Sequence, residues 1–187
     1  SPRREFVGLA KGEIDRLDRL VGEFLRFARP TEPSKTPTDL NEIVDSITGL
    51  IENQAALQSV AVVRDLQKNL PLILVDAEQI KQVLLNLAIN ALQAMSESNG
   101  ADKTLSFKTF QQDNDFVVEV ADSGSGIDPS NLSKIFDPFY TTKDKGVGLG
   151  LSVAHKIASQ HGGKLIAQNT SSGTLFSLIL PTTTIAQ

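Results

Sequence analysis

From Asp76 to about Met95 the chain carries the pattern of a helix that is apolar almost all round. Ile80, Val83, Leu84, Leu85, Leu87, Ala88, Ile89, Ala91, Leu92 and Ala94 leave no broad polar face, so such a helix has to lie inside a domain. Asp76 is placed to cap its N-terminus, with Gln79 at the third helical position. The exceptions to the apolar pattern are ordered. Gln79, Gln82, Asn86, Asn90 and Gln93 recur at spacings of three, four, four and three, which is one narrow line along the helix. A buried amide without a partner costs about 1–3 kcal/mol, so such a line demands partners. Water supplies them if the line is a solvated face. A ligand or a hard cation also supplies them, and an Asn carbonyl is a suitable oxygen donor for Mg²⁺. A solvated face usually carries Lys and Glu, so the choice of uncharged amides tilts the line toward a site.

At 187 residues the chain has room for one full domain, or one domain with a helical appendage. Lys and Arg number 18 against 22 Asp and Glu, a net charge of −4, which argues against a nucleic-acid partner. The lack of Cys excludes disulfides and thiolate metal sites, and two His, His155 and His161, are too few for a multi-histidine centre. No stretch reads as a membrane span and no signal peptide opens the chain. The chain starts at Ser1 rather than Met, as expected of a piece of a longer or processed protein.

Val7, Ala10, Ile14, Leu17, Val21, Phe24 and Ala28 form a heptad seam, widened by Phe6, Leu20 and Phe27. That stripe suits a bundle of several helices, with the partners on another chain or an upstream segment; the alternative is a helix lying on its own domain. Pro30, Pro33 and Pro37 end the helix near Arg29 and mark residues 30–38 as a linker. Asp39 with Glu42 is a capping pair for a second helix, from Leu40 to about residue 57. Strands are expected at Val60–Leu66, Leu72–Val75, Thr104–Phe110, Phe116–Ala121, Lys164–Gln168 and Leu175–Leu180, and a helix from Val147 to about Gln160. This order predicts an α+β fold, a sheet with helices on one face.

Two glycine-rich turns interrupt it. Asp122-Ser-Gly124-Ser-Gly126-Ile127 follows a strand, and its carboxylate is placed to accept a hydrogen bond from an amino group; a plain Asp-Gly turn would look the same. Lys145-Gly146-Val-Gly148-Leu-Gly150-Leu151 leads into a helix, where exposed backbone N–H groups suit an anion. Neither a dinucleotide fingerprint nor a P-loop is present. The stretch between the turns, Asp128–Lys145, suits a ligand lid, with Lys143 and Lys145 available to phosphate and with Phe136 and Phe139 expected to pack inward.

In order, Asn86-Leu-Ala-Ile-Asn90-Ala91, Asp122-x-Gly124-x-Gly126, Phe136-Asp-Pro-Phe139, Gly146-x-Gly148-x-Gly150 and Gly173-Thr174 resemble the Asn box, first Gly box, Phe box and second and third Gly boxes of one family. That family is the catalytic ATP-binding domain of bacterial sensor histidine kinases, within the superfamily of DNA gyrase B, MutL and Hsp90. The match covers roughly residues 39–181, and Phe139-Tyr-Thr-Thr-Lys143 looks most like the nitrogen-regulation branch. Residues 1–29 are similar to the second helix of the dimerisation and phosphotransfer domain.

The resemblance implies a Bergerat-type two-layer sandwich over 39–187, ATP or ADP with Mg²⁺ as cofactors, and roles for matching residues. Asn90 would hold Mg²⁺ and Asn86 would line the phosphates, with Lys143 as a less direct contact; these three form the catalytic set. Asp122 would bind the adenine amino group, beside Gly124, Gly126, Ile127 and Thr174. Phe139, Thr142, Gly146, Val147, Gly148, Leu149, Gly150 and Leu151 would complete the nucleotide site from the lid. Gln93 and Val147 depart from the pattern, where Lys or Arg and Thr or Ser are frequent. The family transfers phosphate to a His on the first dimerisation helix, yet residues 1–29 contain no His, and His155 and His161 read as structural. The implied product is therefore a phosphohistidine on another segment, relayed to a response regulator, in a cytoplasmic homodimer held through helix 1–29 and reaching the membrane only through upstream segments. Two other readings stay open: a conformational clamp of the gyrase, MutL or Hsp90 type, and a non-catalytic dimerisation module.

Overall fold

The computed structural model describes residues 32–96, 102–143 and 146–182, together with Val7 and Gly22. The expected helix over 1–29 lies outside the described residues apart from those two positions, and so does Lys145. The elements are β1 (Thr36–Thr38), α1 (Leu40–Leu57), β2 (Val60–Leu66), β3 (Ile73–Val75), α2 (Ala77–Ser96), β4 (Lys103–Gln112), β5 (Asp115–Asp122), α3 (Gly150–Gln160), β6 (Lys164–Asn169) and β7 (Thr174–Pro181). The main sheet has five strands in the order β2-β4-β5-β7-β6, and only the β2–β4 pair is parallel. A separate antiparallel ribbon joins β1 to β3. The α+β sandwich expected from the sequence is the fold observed.

Strand parity builds the core. Leu105, Phe107 and Thr109 on β4, Phe116, Val118 and Val120 on β5, and Phe176, Leu178 and Leu180 on β7 are buried under the helices. The helices answer with Ile43, Val44 and Ile47 from α1, Ile80, Leu84, Leu87 and Leu92 from α2, and Ala154 and Ala158 from α3. Helix α2 touches both other helices and lies against β4 and β5, as its apolar circumference requires. Asp122 and Thr174 continue the inward parity of β5 and β7. Both therefore point toward the helix layer at one end of the sheet.

Three local features differ from the sequence pattern. Thr36–Thr38, inside the Pro-rich span, is a strand, because Pro37 sits in a two-stranded ribbon. Helix α3 starts at Gly150 rather than Val147, because Gly148 at φ 72° lies outside helical space. The β4–β5 hairpin is tighter than expected, with Asp113 at φ 54° in a two-residue turn.

His161 ties three elements together. Its Nε2 accepts from the Asp76 backbone N–H at 3.1 Å, and its Nδ1 faces the Ile157 carbonyl at 2.9 Å. The two partners select the neutral tautomer protonated at Nδ1. Asp76 caps α2 through the Gln79 amide and also takes the Ser34 amide. Burial holds the imidazole below its ordinary pKa of 6.5, with Lys35 pushing the same way and the Ile157 carbonyl and Asp76 opposing. Below 6.5 the unfolded chain takes the proton first, so stability falls as pH drops toward the folded pKa. Thermal melts between pH 7.5 and 5 should show a steeper loss for wild type than for His161→Gln, since the carboxylates are common to both. Equal slopes would remove His161 as a source of acid lability.

Candidate functional site

The C-terminal part of the polar line of α2 runs between contacts to the two glycine turns. Asn86, one face of the line, donates from Nδ2 to the Gly150 carbonyl at 3.0 Å, joining α2 to the start of α3. Two turns further along, a side chain at Gly124 would meet the Ala94 Cβ at 3.0 Å, so the first glycine turn rests directly on α2. Positions 86 and 94 are about 12 Å apart along a helix, which sets the length of the cleft floor. Asn90 lies between them, half-buried, and its side chain has no hydrogen bond among the described residues. Gln93 accepts from the Lys143 ammonium at 2.7 Å, which draws the lid segment onto the same helix.

Asp122 closes one end. It is 6% exposed, and its Oδ1 accepts from the Gly124 and Thr174 amides at 2.8 and 3.3 Å. Burial pushes its carboxyl above the ordinary carboxylate range; the two amides, Lys143 and the Thr174 hydroxyl oppose that shift. Oδ2 takes neither amide. A buried carboxylate with one oxygen committed to backbone can direct the other to a donor on a ligand. Thr174 is buried beside it, and a side chain at Gly173 would run into the Asp122 carbonyl. Gly126 at φ 75° and half-buried Ile127 follow on the loop.

The lid end is built on backbone. The Phe139 N–H donates to the Gly148 carbonyl at 2.9 Å, which ties the lid segment to the second glycine turn. A side chain at Gly148 would collide with the backbone of Phe139 and Tyr140 at 2.6 Å. Of the two Phe expected to pack inward, Phe136 does so, against the core and 5.0 Å from the His155 ring. Phe139 does not: it is 57% exposed, because its φ of 65° turns the side chain out while its amide is held by Gly148. Leu149 is core at 1% exposure, so its side chain does not line the cleft. Thr142 and Gly146 are exposed; Val147 and Leu151 are half-buried. Helix α3 has no side-chain cap at Leu149, so its first backbone N–H groups remain available to an anion.

One contributor was not singled out from the sequence. Asn169, the last residue of β6, holds Ile127 on both sides: Oδ1 accepts from its N–H at 2.8 Å and Nδ2 donates to its carbonyl at 2.6 Å. An Asn ending a strand before a Ser-Ser-Gly turn was the only available signal.

Among the described residues no group of three or more His, Cys, Asp or Glu could hold a metal ion. The Asn90 carbonyl is an oxygen donor of the kind a hard cation such as Mg²⁺ accepts alongside other ligands.

Residues 75–184 match the family of histidine kinase-, DNA gyrase B- and HSP90-like ATPases, and the chain belongs to it. Within that family it is a histidine kinase catalytic domain. It is 31% identical to the catalytic domain of histidine kinase ThkA, covering 80% of this chain and 96% of that one with a TM-score of 0.72. The same kinase in complex with response regulator protein TrrA aligns over 95% of this chain and 51% of that one, at 28% identity and TM-score 0.79. Full-length ShkA in complex with AMPPNP aligns over all of this chain and 40% of its own, at 25% identity and TM-score 0.85. The signal transduction histidine-protein kinase AtoS of Escherichia coli (strain K12) is 36% identical over 180 residues, 95% of this chain but only 29% of AtoS. The chain thus spans under a third of that relative's length. Among the described residues no helix is long and apolar enough to cross a membrane.

Proposed function

We propose that this chain binds Mg-ATP and presents the γ-phosphate to a His on a separate segment, for relay to a response regulator. The observation that carries the reading is the Asp122 carboxylate, buried at the end of β5 beside the glycine turn that rests on α2 at Ala94. In this reading Asp122 accepts from the adenine amino group, with Gly124, Gly126, Ile127 and Thr174 around the base. Asn86 and Asn90 run along the polyphosphate, and Asn90 is the side chain that would hold Mg²⁺. That ion supplies charge neutralisation between the phosphates when bound. The uncapped start of α3 and the backbone of Val147–Leu151 offer N–H donors to the same oxygens, whereas the Gly146 N–H donates to the Lys143 carbonyl. Lys143 exchanges Gln93, a neutral acceptor, for a phosphate oxygen.

Phosphoryl transfer asks the protein for positioning and electrostatics rather than covalent chemistry. The nucleophile is an imidazole nitrogen, and neither His here serves. His161 is buried with both ring nitrogens engaged, and His155 lies on α3 against Phe136. The ThkA–TrrA complex supports a response regulator as the downstream partner. Residues 1–29 would supply a dimerisation helix, 30–38 the connection and 39–187 the catalytic domain.

Calorimetric titration should detect Mg-ATP binding to the isolated chain. Incubation with γ-labelled ATP should leave the chain unlabelled, whereas an added helical domain bearing the acceptor His should take up label. Label on His155 or His161, or no heat of binding, would overturn the reading.

A further inference from the structure

We propose that Asn169 is a positioning residue for the purine end of the site, setting the slot between Asp122 and the Gly126–Ile127 backbone and thereby the preference for adenine. The inference rests on the nucleotide reading above. Its basis is the two-bond clamp on Ile127. The partners fix the amide's orientation, since the Ile127 N–H requires an oxygen and the Ile127 carbonyl requires an NH₂. The side chain thus pairs with Ile127 much as a neighbouring strand would, across 42 residues of sequence.

Two anchors hold the loop, and they are linked. Asp122 Oδ1 holds Gly124 at the front, and Asn169 holds Ile127 at the back. Thr174 joins them, because it donates to Asp122 and pairs with Asn169 across the β6–β7 ladder. Gly126 bridges the anchors at φ 75°, and a Cβ there would press on Asn169 Oδ1 at 3.2 Å. The loop backbone therefore has little freedom relative to the carboxylate. Asn169 has committed both ends of its amide, so it acts on a ligand through Ile127 rather than by touching it. An exposed pair of hydrogen bonds is an unremarkable source of stability, but this pair holds the residue after Gly126 on the same loop that Asp122 holds at Gly124.

The test compares wild type with Asn169→Ala, Asn169→Asp and Asn169→Ser for Kd of Mg-ATP and Mg-GTP and for thermal stability. Asn169→Ala should loosen ATP by about 5- to 10-fold, the loss expected for about two net hydrogen bonds acting partly through the loop, and should narrow the ATP-to-GTP preference. Asn169→Asp should be at least as weak, because its second oxygen faces the Ile127 carbonyl. Asn169→Ser, which keeps one polar atom, should fall between and serves if the Ala variant does not fold. A purely structural clamp would lower Tm while leaving Kd and base preference of the folded protein unchanged, and that result overturns the proposal. If wild type itself binds no ATP, the nucleotide reading falls and takes the clamp's role with it. Wild-type binding with unchanged variants removes the clamp alone.

Discussion

Asp122→Asn should abolish tight ATP binding and, at neutral pH, raise the melting temperature. The two effects have one cause. Burial pushes the Asp122 carboxyl above its usual range, so keeping it ionised in the folded protein costs stability. Between 3.8 and the raised folded value the native state binds the proton more readily than the unfolded chain. The penalty is therefore full above that window and vanishes below it. Asn carries no charge and escapes it, while its Oδ1 still accepts from Gly124 and Thr174. The variant's advantage in Tm should be largest at neutral pH and disappear as pH falls through the window. Its amide NH₂, however, would oppose another donor. Losing a charge-assisted hydrogen bond costs about 1.5–3 kcal/mol, or roughly 10- to 150-fold in Kd, before any donor–donor repulsion. A variant that binds ATP as wild type does would mean Asp122 does not meet the base.

Asn90→Ala should leave folding untouched and cripple phosphoryl transfer. The side chain is half-buried without a hydrogen bond among the described residues, and Ala is the better helix former, so Tm should hold or rise slightly. With Mg²⁺ present, ATP should bind more weakly to the variant; with the cation chelated, the two proteins should bind alike. Transfer to an added His-bearing domain should fall by roughly 100- to 1,000-fold, the range for removing one preorganised electrostatic partner. Equal transfer rates, or a binding defect that survives chelation, would displace Asn90 from the cation.

The helix layer and the cleft floor were legible because their information is local. The apolar circumference of α2 and its amide line need only a 3.6-residue period to be seen. Glycine turns are legible for the same reason, since positive φ at Gly126 and Gly148 is a single-residue demand. The rest depends on partners remote in sequence. Nothing within Thr36–Thr38 announces a strand, since its partner is Ile73–Val75. Phe139 has the composition of a core residue, but its direction is set by Gly148 nine positions on. Asn169 is silent until Ile127 is placed opposite it. The inward aim of Asp122 was recoverable from the alternation Phe116, Val118, Val120, once that alternation was extended by one step.

The sheet order has a consequence for how the protein is made. β7, the last strand in chain order among the described residues, lies between β5 and β6 rather than at an edge. Until it emerges, β5 has one open flank, β6 has no neighbour in the sheet, and Asp122 lacks the Thr174 amide. A nascent chain can therefore hold the helices and the glycine turns and still have no closed site. On the proposed function, ATP would be captured only after translation has passed β7, so that occupancy of the site would report that β7 has docked between β5 and β6.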